Sequence, residues 1–191
     1  YDESFAGVVN VAHGDVNGDG VKDIITAPLS AGGPHIKVFD GKTGRVIHIF
    51  FAYDESLDGG VNIASGDVNG DGFDDILVGA NRADPNGDAA GEAYVVFGKS
   101  GGFDASTNVF LFGNTLAGFK VSGALTGDGA GWSVSGAGDV NGDGFDDLMV
   151  GAPYADPNGT SSGAAYVIYG HNFSGAAGTL SGSAANDTLS G

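Results

Sequence analysis

The sequence contains no cysteine, so neither a disulfide framework nor a thiolate metal site is possible. Basic residues are also scarce: 7 Lys and Arg stand against 24 Asp and Glu, which gives a formal net charge of −17. Nucleic acids and anionic membranes bind clustered Lys and Arg, so we expect neither as a partner. Long apolar runs are missing too. The most apolar stretch, residues 46–51, is interrupted by His48 and is too short for membrane insertion.

Helical patterns are absent as well. No stretch keeps apolar residues at a 3.6-residue period over three turns. The 37 glycines among 191 residues suit a chain full of turns rather than helices. A content of 41% hydrophobic and 10% aromatic residues is too high for a disordered acidic chain. The composition therefore favours a folded protein made of strands and turns.

The chain repeats itself at two offsets. Residues 1–20 match residues 53–72 at an offset of 52, and residues 66–98 match residues 138–170 at an offset of 72. Such periodicity predicts a repeat protein. The expected parts are a first unit at 1–52 (with 1–4 matching the end of a preceding unit), a second at 53–128 with an extra segment at 113–126, a third at 129–170, and a Gly- and Ser-rich tail at 171–191.

Each unit contains short apolar runs of strand type. A first strand precedes an acidic loop, and DIITAP, DILVGA or DLMVGA follows the loop as a second strand. First strands are expected at 8–11, 61–64 and 132–135, third strands at 35–39, 93–97 and 165–169, and fourth strands at 46–51 and 118–121. No convincing fourth strand follows residue 170. The fold class is therefore all-β, with about three β-propeller-type blades of about four antiparallel strands, in a ring that this chain alone does not close.

The acidic loop occurs three times, as GDVNGDGVKD at residues 14–23 and as GDVNGDGFDD at residues 66–75 and 138–147. Counted from the first aspartate, oxygen-bearing side chains stand at positions 1, 3, 5 and 9, a turn glycine at 6 and a backbone carbonyl at 7, which is the layout of a Ca²⁺ loop. We expect three calcium sites, one per blade. Their ligands are Asp15, Asn17, Asp19, the Val21 carbonyl and Asp23; Asp67, Asn69, Asp71, the Phe73 carbonyl and Asp75; and Asp139, Asn141, Asp143, the Phe145 carbonyl and Asp147.

Two other interpretations of the loop are less suitable. A tight Asn-Gly hairpin turn would explain one copy, but not aspartate at positions 1 and 9 in all three, where bare carboxylates repel each other. An EF-hand or dockerin module needs an acidic ligand at position 12, where this chain has Thr26, Val78 or Val150. Without that ligand, dissociation constants of about 10⁻⁴ to 10⁻³ M are expected, as in extracellular modules. This affinity indicates a protein that is secreted or at a cell surface.

Position 8 differs among the loops. It is Lys22 in the first loop, and Asp74 and Asp146 in the other two. We expect the two aspartates to face solvent. A cation at Lys22 is expected to oppose Ca²⁺ and to make the first site the weakest of the three.

Together, these segments resemble the FG-GAP repeats of integrin α-subunit propellers and their bacterial relatives. The likeness runs from residue 5 to about residue 170 and is strongest in the third loop with DLMVGAP and AAYVIYG after it. GGPHIKVFDGKTG and FFAYDES in the first unit resemble a bacterial sub-type. The Phe-Gly pair is missing, with Gly131-Trp132 nearest to it, and Gly-Ala-Pro is complete only at residues 151–153. The resemblance implies a propeller with a calcium loop between the first and second strands of each blade, holding the ion with the ligands named above.

The tail GTLSGSAANDTLSG, residues 178–191, resembles the start of the glycine-rich RTX-type calcium repeats of secreted bacterial proteins. About one repeat is present, so Asn186 and Asp187 form half a site at best. A flexible Gly/Ser linker is the alternative.

No arrangement of residues indicates an enzyme. Residues 98–102 fit the G-x-S-x-G pattern of hydrolases, but they lie in a polar turn that no helix follows. Gly41-Lys42-Thr43 lacks the upstream glycine of a phosphate loop, and the four histidines form no cluster. Asp84 and Asp156 occur in a repeated ADPNG motif and are expected to be turn residues, with an extra calcium contact as the alternative.

The preferred function is a non-enzymatic extracellular module, in which calcium-rigidified blades of a large secreted or surface bacterial protein serve adhesion or scaffolding. Exposed sheet faces at its ends would be covered by neighbouring blades of a longer chain or by copies stacked into a filament. The alternative is a propeller lectin or protein receptor. Its carbohydrate or protein ligand would bind opposite the calcium loops, at residues 28–34, 81–91 and 153–163.

Overall fold

A computed structural model describes residues 5–30, 33–52, 59–84, 88–101 and 118–172. These residues form eleven strands and no helix, so they include no helix able to cross a membrane. The strands make three antiparallel sheets that do not close into a ring. The predicted all-β fold of propeller-type blades is confirmed. The RTX-like residues 178–191 lie outside the described residues.

The first sheet is a four-stranded meander in chain order. Each strand is rich in β-branched or aromatic residues, which favour the extended conformation. Gly44, at φ +68°, ends the turn between the last two strands, where a left-handed residue is needed. The strands are β1 (Val9–Gly14), β2 (Asp23–Pro28), β3 (His35–Phe39) and β4 (Val46–Phe51).

The second and third sheets repeat this arrangement. The second is also a four-stranded meander, and the described part of the third has three strands in the order β11-β10-β9. The strands of the second sheet are β5 (Asn62–Gly66), β6 (Asp75–Ala80), β7 (Glu92–Val96) and β8 (Gly118–Ser122). Those of the third are β9 (Ser133–Gly138), β10 (Asp147–Ala152) and β11 (Ala164–Ile168).

The predicted strands agree closely with these bounds. β2, β3 and β4 have the expected limits, and β7 and β11 begin one residue earlier than expected. The first strands begin one residue later than expected and continue up to the acidic loop. The fourth strand of the second unit, β8, lies where GFKV predicts it.

The same strand pairing closes all three acidic loops. In each sheet, the glycine before the loop pairs with the aspartate at position 9. The pairs are Gly14 with Asp23, Gly66 with Asp75, and Gly138 with Asp147. Because β1, β5 and β9 are spatial neighbours, this register brings the three loops together at one edge of the blades.

The sheets pack face to face through apolar side chains. Every residue of β6 is buried, because the middle sheet is covered on both faces. Ile76 and Val78 of β6 pack toward the first sheet, and Leu77 packs toward the third. Polar contacts also join the three units. Asn62 accepts a hydrogen bond from the Asn10 amide (3.3 Å) and donates one to the Trp132 carbonyl (2.7 Å). Three blades are thus joined in a row.

Candidate metal centre

The position-1 aspartate of each loop turns its carboxylate back onto the loop's own backbone. Asp15 accepts hydrogen bonds from the N–H groups of Gly18 (2.8 Å), Asp19 (3.0 Å) and Gly20 (2.8 Å). The other two loops repeat these bonds at 2.7 to 3.1 Å. Gly20 has a φ of +84°, a left-handed conformation that favours glycine at position 6. The chain therefore folds around the first carboxylate.

Positions 3 and 5 make two successive side-chain turns. In the first loop, Asn17 Oδ1 accepts the Asp19 N–H, and Asp19 Oδ1 accepts the Val21 N–H, both at 2.9 Å. The other loops repeat both bonds at 2.8 to 3.0 Å. An oxygen that accepts one hydrogen bond keeps a further lone pair. These side chains are therefore held in place and still have lone pairs to offer a cation.

The position-9 aspartates are the buried members of the loops. Each accepts one hydrogen bond from the N–H of the position-2 valine and another from a glycine that follows the third strand of its sheet. Burial raises the pKa of Asp75 to about 8, and it also raises the pKa of Asp23. A neighbouring cation would relieve this electrostatic cost. The three carboxylates, at most 1% exposed, are Asp23, Asp75 and Asp147.

The donor chemistry of the loops fits calcium. The predicted ligands are all oxygens, which Ca²⁺ prefers, whereas zinc and copper favour His or Cys. Among the described residues, no group of three or more His, Cys, Asp or Glu side chains forms a ready-made metal cage. The hydrogen bonds explain this, because the position-1 and position-5 carboxylates are oriented toward backbone N–H groups. An incoming ion would use the lone pairs that these hydrogen bonds leave free.

Two lysines contact the loops, with different consequences. Lys42 Nζ lies 3.3 Å from Asp19 Oδ2, so the position-5 carboxylate of the first loop already holds a cationic group. Lys22 Nζ lies 2.7 Å from Asp74 Oδ2 in the second loop, and this hydrogen bond raises the pKa of Lys22. Because Asp74 compensates the Lys22 charge, Lys22 alone is a weaker reason to rank the first site as weakest, and the ranking stays a prediction.

The expectation that Asp74 and Asp146 face solvent is wrong. The Asp74 side chain is 16% exposed, and its Oδ2 accepts the Asp15 N–H of the preceding loop at 2.6 Å. Asp146 Oδ2 accepts the Asp67 N–H at 3.3 Å. The sequence contained one sign of this role. Aspartate occurs at position 8 in the second and third loops, each of which follows another loop. A solvent-exposed position would not require the same residue twice.

The loops suggested as ligand sites, residues 28–34, 81–91 and 153–163, lie at the end of the blades opposite the acidic loops. Residues 31–32 and 85–87 of these loops lie outside the described residues. Asp84 and Asp156 each accept an N–H from the residue five positions later, so both carboxylates serve their own turns. Trp132 and Tyr154 form an edge-to-face pair with ring centroids 5.5 Å apart, and each is 48% exposed. This pair was not predicted, because its members come from different loops.

The hydrolase-like turn belongs to the second acidic loop. The Gly98 N–H is donated to the buried carboxylate of Asp75 at 2.8 Å. The next N–H group, that of Lys99, donates a hydrogen bond to the Val16 carbonyl of the first loop at 3.2 Å. The Gly-Lys-Ser-Gly-Gly segment therefore begins with backbone groups that hold two acidic loops.

Comparison with known proteins agrees with this architecture. A family model described as FG-GAP repeat matches residues 59–96 and 130–168, which contain β5–β7 and β9–β11. Integrin alpha pat-2 of Caenorhabditis elegans is 31% identical over 181 residues, covering 89% of this chain and 14% of that protein. Integrin alpha-V of Gallus gallus is 27% identical over 162 residues, covering 81% of this chain and 14% of that protein. Integrin alpha-PS2 of Drosophila melanogaster is 30% identical over 183 residues, covering 88% of this chain and 12% of that protein.

The chain thus spans only 12% to 14% of the length of these relatives. The resemblance of the first unit to a bacterial sub-type stays a prediction, as does the RTX-like start at residues 178–191.

We predict that, in calcium-free protein, the position-9 aspartate contributes more to the free energy of unfolding than the position-5 aspartate does. Asp75→Ala leaves two buried N–H donors unpaired and should lower the free energy of unfolding by about 2 to 5 kcal/mol. Asp71→Ala removes an exposed side chain and should cost about 1 kcal/mol or less. Urea unfolding in EDTA measures both, with Asp75→Asn, which keeps one of the two acceptor oxygens, expected to lose less than Asp75→Ala. Equal losses for the two alanine variants would contradict the structural role of position 9.

Proposed function

The chain belongs to the FG-GAP, integrin-α-like repeat family, and from that premise we propose that it is a non-enzymatic, calcium-binding propeller module that acts outside the cell in adhesion or ligand binding. The observation that supports calcium most strongly is the buried position-9 carboxylate, which recurs in all three loops and accepts the same two backbone N–H groups in each. Oxygen ligands in an irregular shell suit Ca²⁺ better than Mg²⁺, which demands a regular octahedron.

Each proposed ion lies within one blade and is held by one loop. Side-chain oxygens at positions 1, 3, 5 and 9 and the carbonyl at position 7 are the proposed ligands, the fifteen residues named above. Because position 12 adds no carboxylate, the sites are weak and fill where calcium is abundant. This affinity, together with the integrin relatives, supports a secreted or cell-surface location.

Removal of calcium tests this proposal. A ligand at ten times its dissociation constant stabilises a protein by about 1.4 kcal/mol per site. EDTA should therefore lower the melting temperature by several degrees, calcium should restore it, and equimolar magnesium should restore it poorly. Calorimetric scans of the same sample with each ion measure the effect. A melting curve that EDTA leaves unchanged would contradict calcium binding.

The two outer sheet faces of the row resemble its buried faces. Met149 on the third sheet is 41% exposed, whereas the equivalent Leu77 of the second sheet is 1% exposed. Ile24 on the first sheet is 48% exposed, whereas the equivalent Ile76 is fully buried. Apolar faces of this kind favour association. The proposed occupant of each face is another blade of the same type, either from a longer chain or from a second copy in an end-to-end filament.

Self-association of this chain should therefore depend on concentration. Light scattering should show growing assemblies, and Met149→Lys should reduce their size, because it places a charge in the packing face. Thr160→Lys adds the same charge on an exposed loop and is the control. A stable monomer at high concentration would rule out the end-to-end assembly.

A propeller lectin or protein receptor is the second candidate. The exposed Trp132–Tyr154 pair supports it, because aromatic faces stack on sugars and anchor protein ligands, and the pair lies at the end away from the acidic loops. Glycan or peptide binding that is lost in Trp132→Ala would favour this function over a scaffold.

A further inference from the structure

We propose that Asp74 and Asp146 are positioning residues that shape the calcium loop of the preceding blade, so that neighbouring sites bind calcium cooperatively. The inference rests on the calcium binding proposed above and extends it to a coupling between sites.

The first contact is a pair of hydrogen bonds between two loops. The Asp15 N–H is donated to Asp74 Oδ2 at 2.6 Å, and the Asp74 N–H is donated to the Asp15 carbonyl at 2.9 Å. Both backbone polar groups of the position-1 residue are thus held by position 8 of the next loop. Lys22 adds its ion pair with Asp74 on the same side, at 2.7 Å. The orientation of a proposed calcium ligand in one blade therefore depends on a side chain of another.

The second and third loops repeat this contact. The Asp67 N–H is donated to Asp146 Oδ2 at 3.3 Å, and the Asp146 N–H is donated to the Asp67 carbonyl at 3.1 Å. Two independent occurrences at equivalent positions make the pairing a property of the repeat. We call each pair, Asp15 with Asp74 and Asp67 with Asp146, an inter-loop clamp.

Further contacts bring the same two parts of neighbouring loops together. The Phe73 ring lies directly over Gly18, and the Phe145 ring lies over Gly70, so neither glycine has room for a side chain. Positions 7 and 8 of each later loop therefore rest on positions 1 to 4 of the earlier loop. The carbonyl of position 7 is itself a proposed ligand, so calcium in the later loop would fix the surface that supports the earlier one.

Cooperativity follows from this shared surface. Ordering one loop costs conformational entropy, and a neighbour that is already ordered reduces the cost of ordering the next. The coupling is reciprocal, because each site must affect the other by the same factor. Within the described residues, no later loop rests on Asp139 of the third loop.

Hydrogen–deuterium exchange of the full chain over a calcium titration provides a separate readout for each loop. Asp74→Ala should raise the calcium concentration for half-protection of the first loop by about three- to tenfold, the loss expected for one hydrogen bond. Asp146→Ala is the matched variant and should shift the second loop by a similar factor, and the first loop by a smaller one, because it reaches the first loop only through the coupling. Asp74→Asn keeps an acceptor but leaves the Lys22 charge uncompensated, so it should weaken the first loop less than Asp74→Ala does. Asp88→Asn, an exposed charge at the opposite end, is the control for net charge.

A double-mutant cycle tests the coupling itself. Emptying the second loop with Asp71→Ala should weaken the first loop several-fold, and should add little when Asp74→Ala is already present. An Asp74→Ala effect confined to the second loop, or additive effects of the two changes, would overturn the clamp. A first loop that Asp74→Asn weakens as much as Asp74→Ala would also overturn it, by showing a charge effect. If no loop of the unaltered chain responds to calcium, the proposed calcium function fails, and the coupling with it.

Discussion

Each blade depends on a carboxylate that is buried at the start of its second strand. Asp75 accepts N–H groups from Val68 in the acidic loop and from Gly98 beyond the third strand, and the other two blades repeat this arrangement. These bonds hold the loop and three strands in one geometry. Because burial disfavours the charged form, and raises the pKa of Asp75 to about 8, a cation beside it would stabilise loop and blade together.

The acidic loops also connect the blades to one another. Between the sheets, apolar side chains such as Leu77 supply a packed core, while at one edge the inter-loop clamps supply directional hydrogen bonds. The core accounts for why the blades pack in a row. The clamps account for why aspartate recurs at position 8 of the second and third loops, since each of these loops must fit the loop before it as well as its own proposed ion.

Sequence reasoning succeeded where one repeat contains all the information. The strands follow from β-branched runs that recur at offsets of 52 and 72, and the loops follow from the spacing of Asp15, Asn17, Asp19 and Asp23. It failed for Asp74, whose partner belongs to the preceding unit, because the period of a repeat does not tell which residues of neighbouring units touch. The Trp132–Tyr154 pair lies within the third unit and was missed for another reason, because its two members come from different loops. Contacts between units depend on how the sheets are stacked, which no single motif encodes.

The central claim is that three adjacent loops each hold one calcium ion through the same five positions. Anomalous diffraction from crystals grown with calcium tests it most directly. The account predicts one peak in each loop, surrounded by oxygens of positions 1, 3, 5, 7 and 9 at about 2.3 to 2.6 Å. Calcium-saturated crystals with no peak in the loops would contradict it.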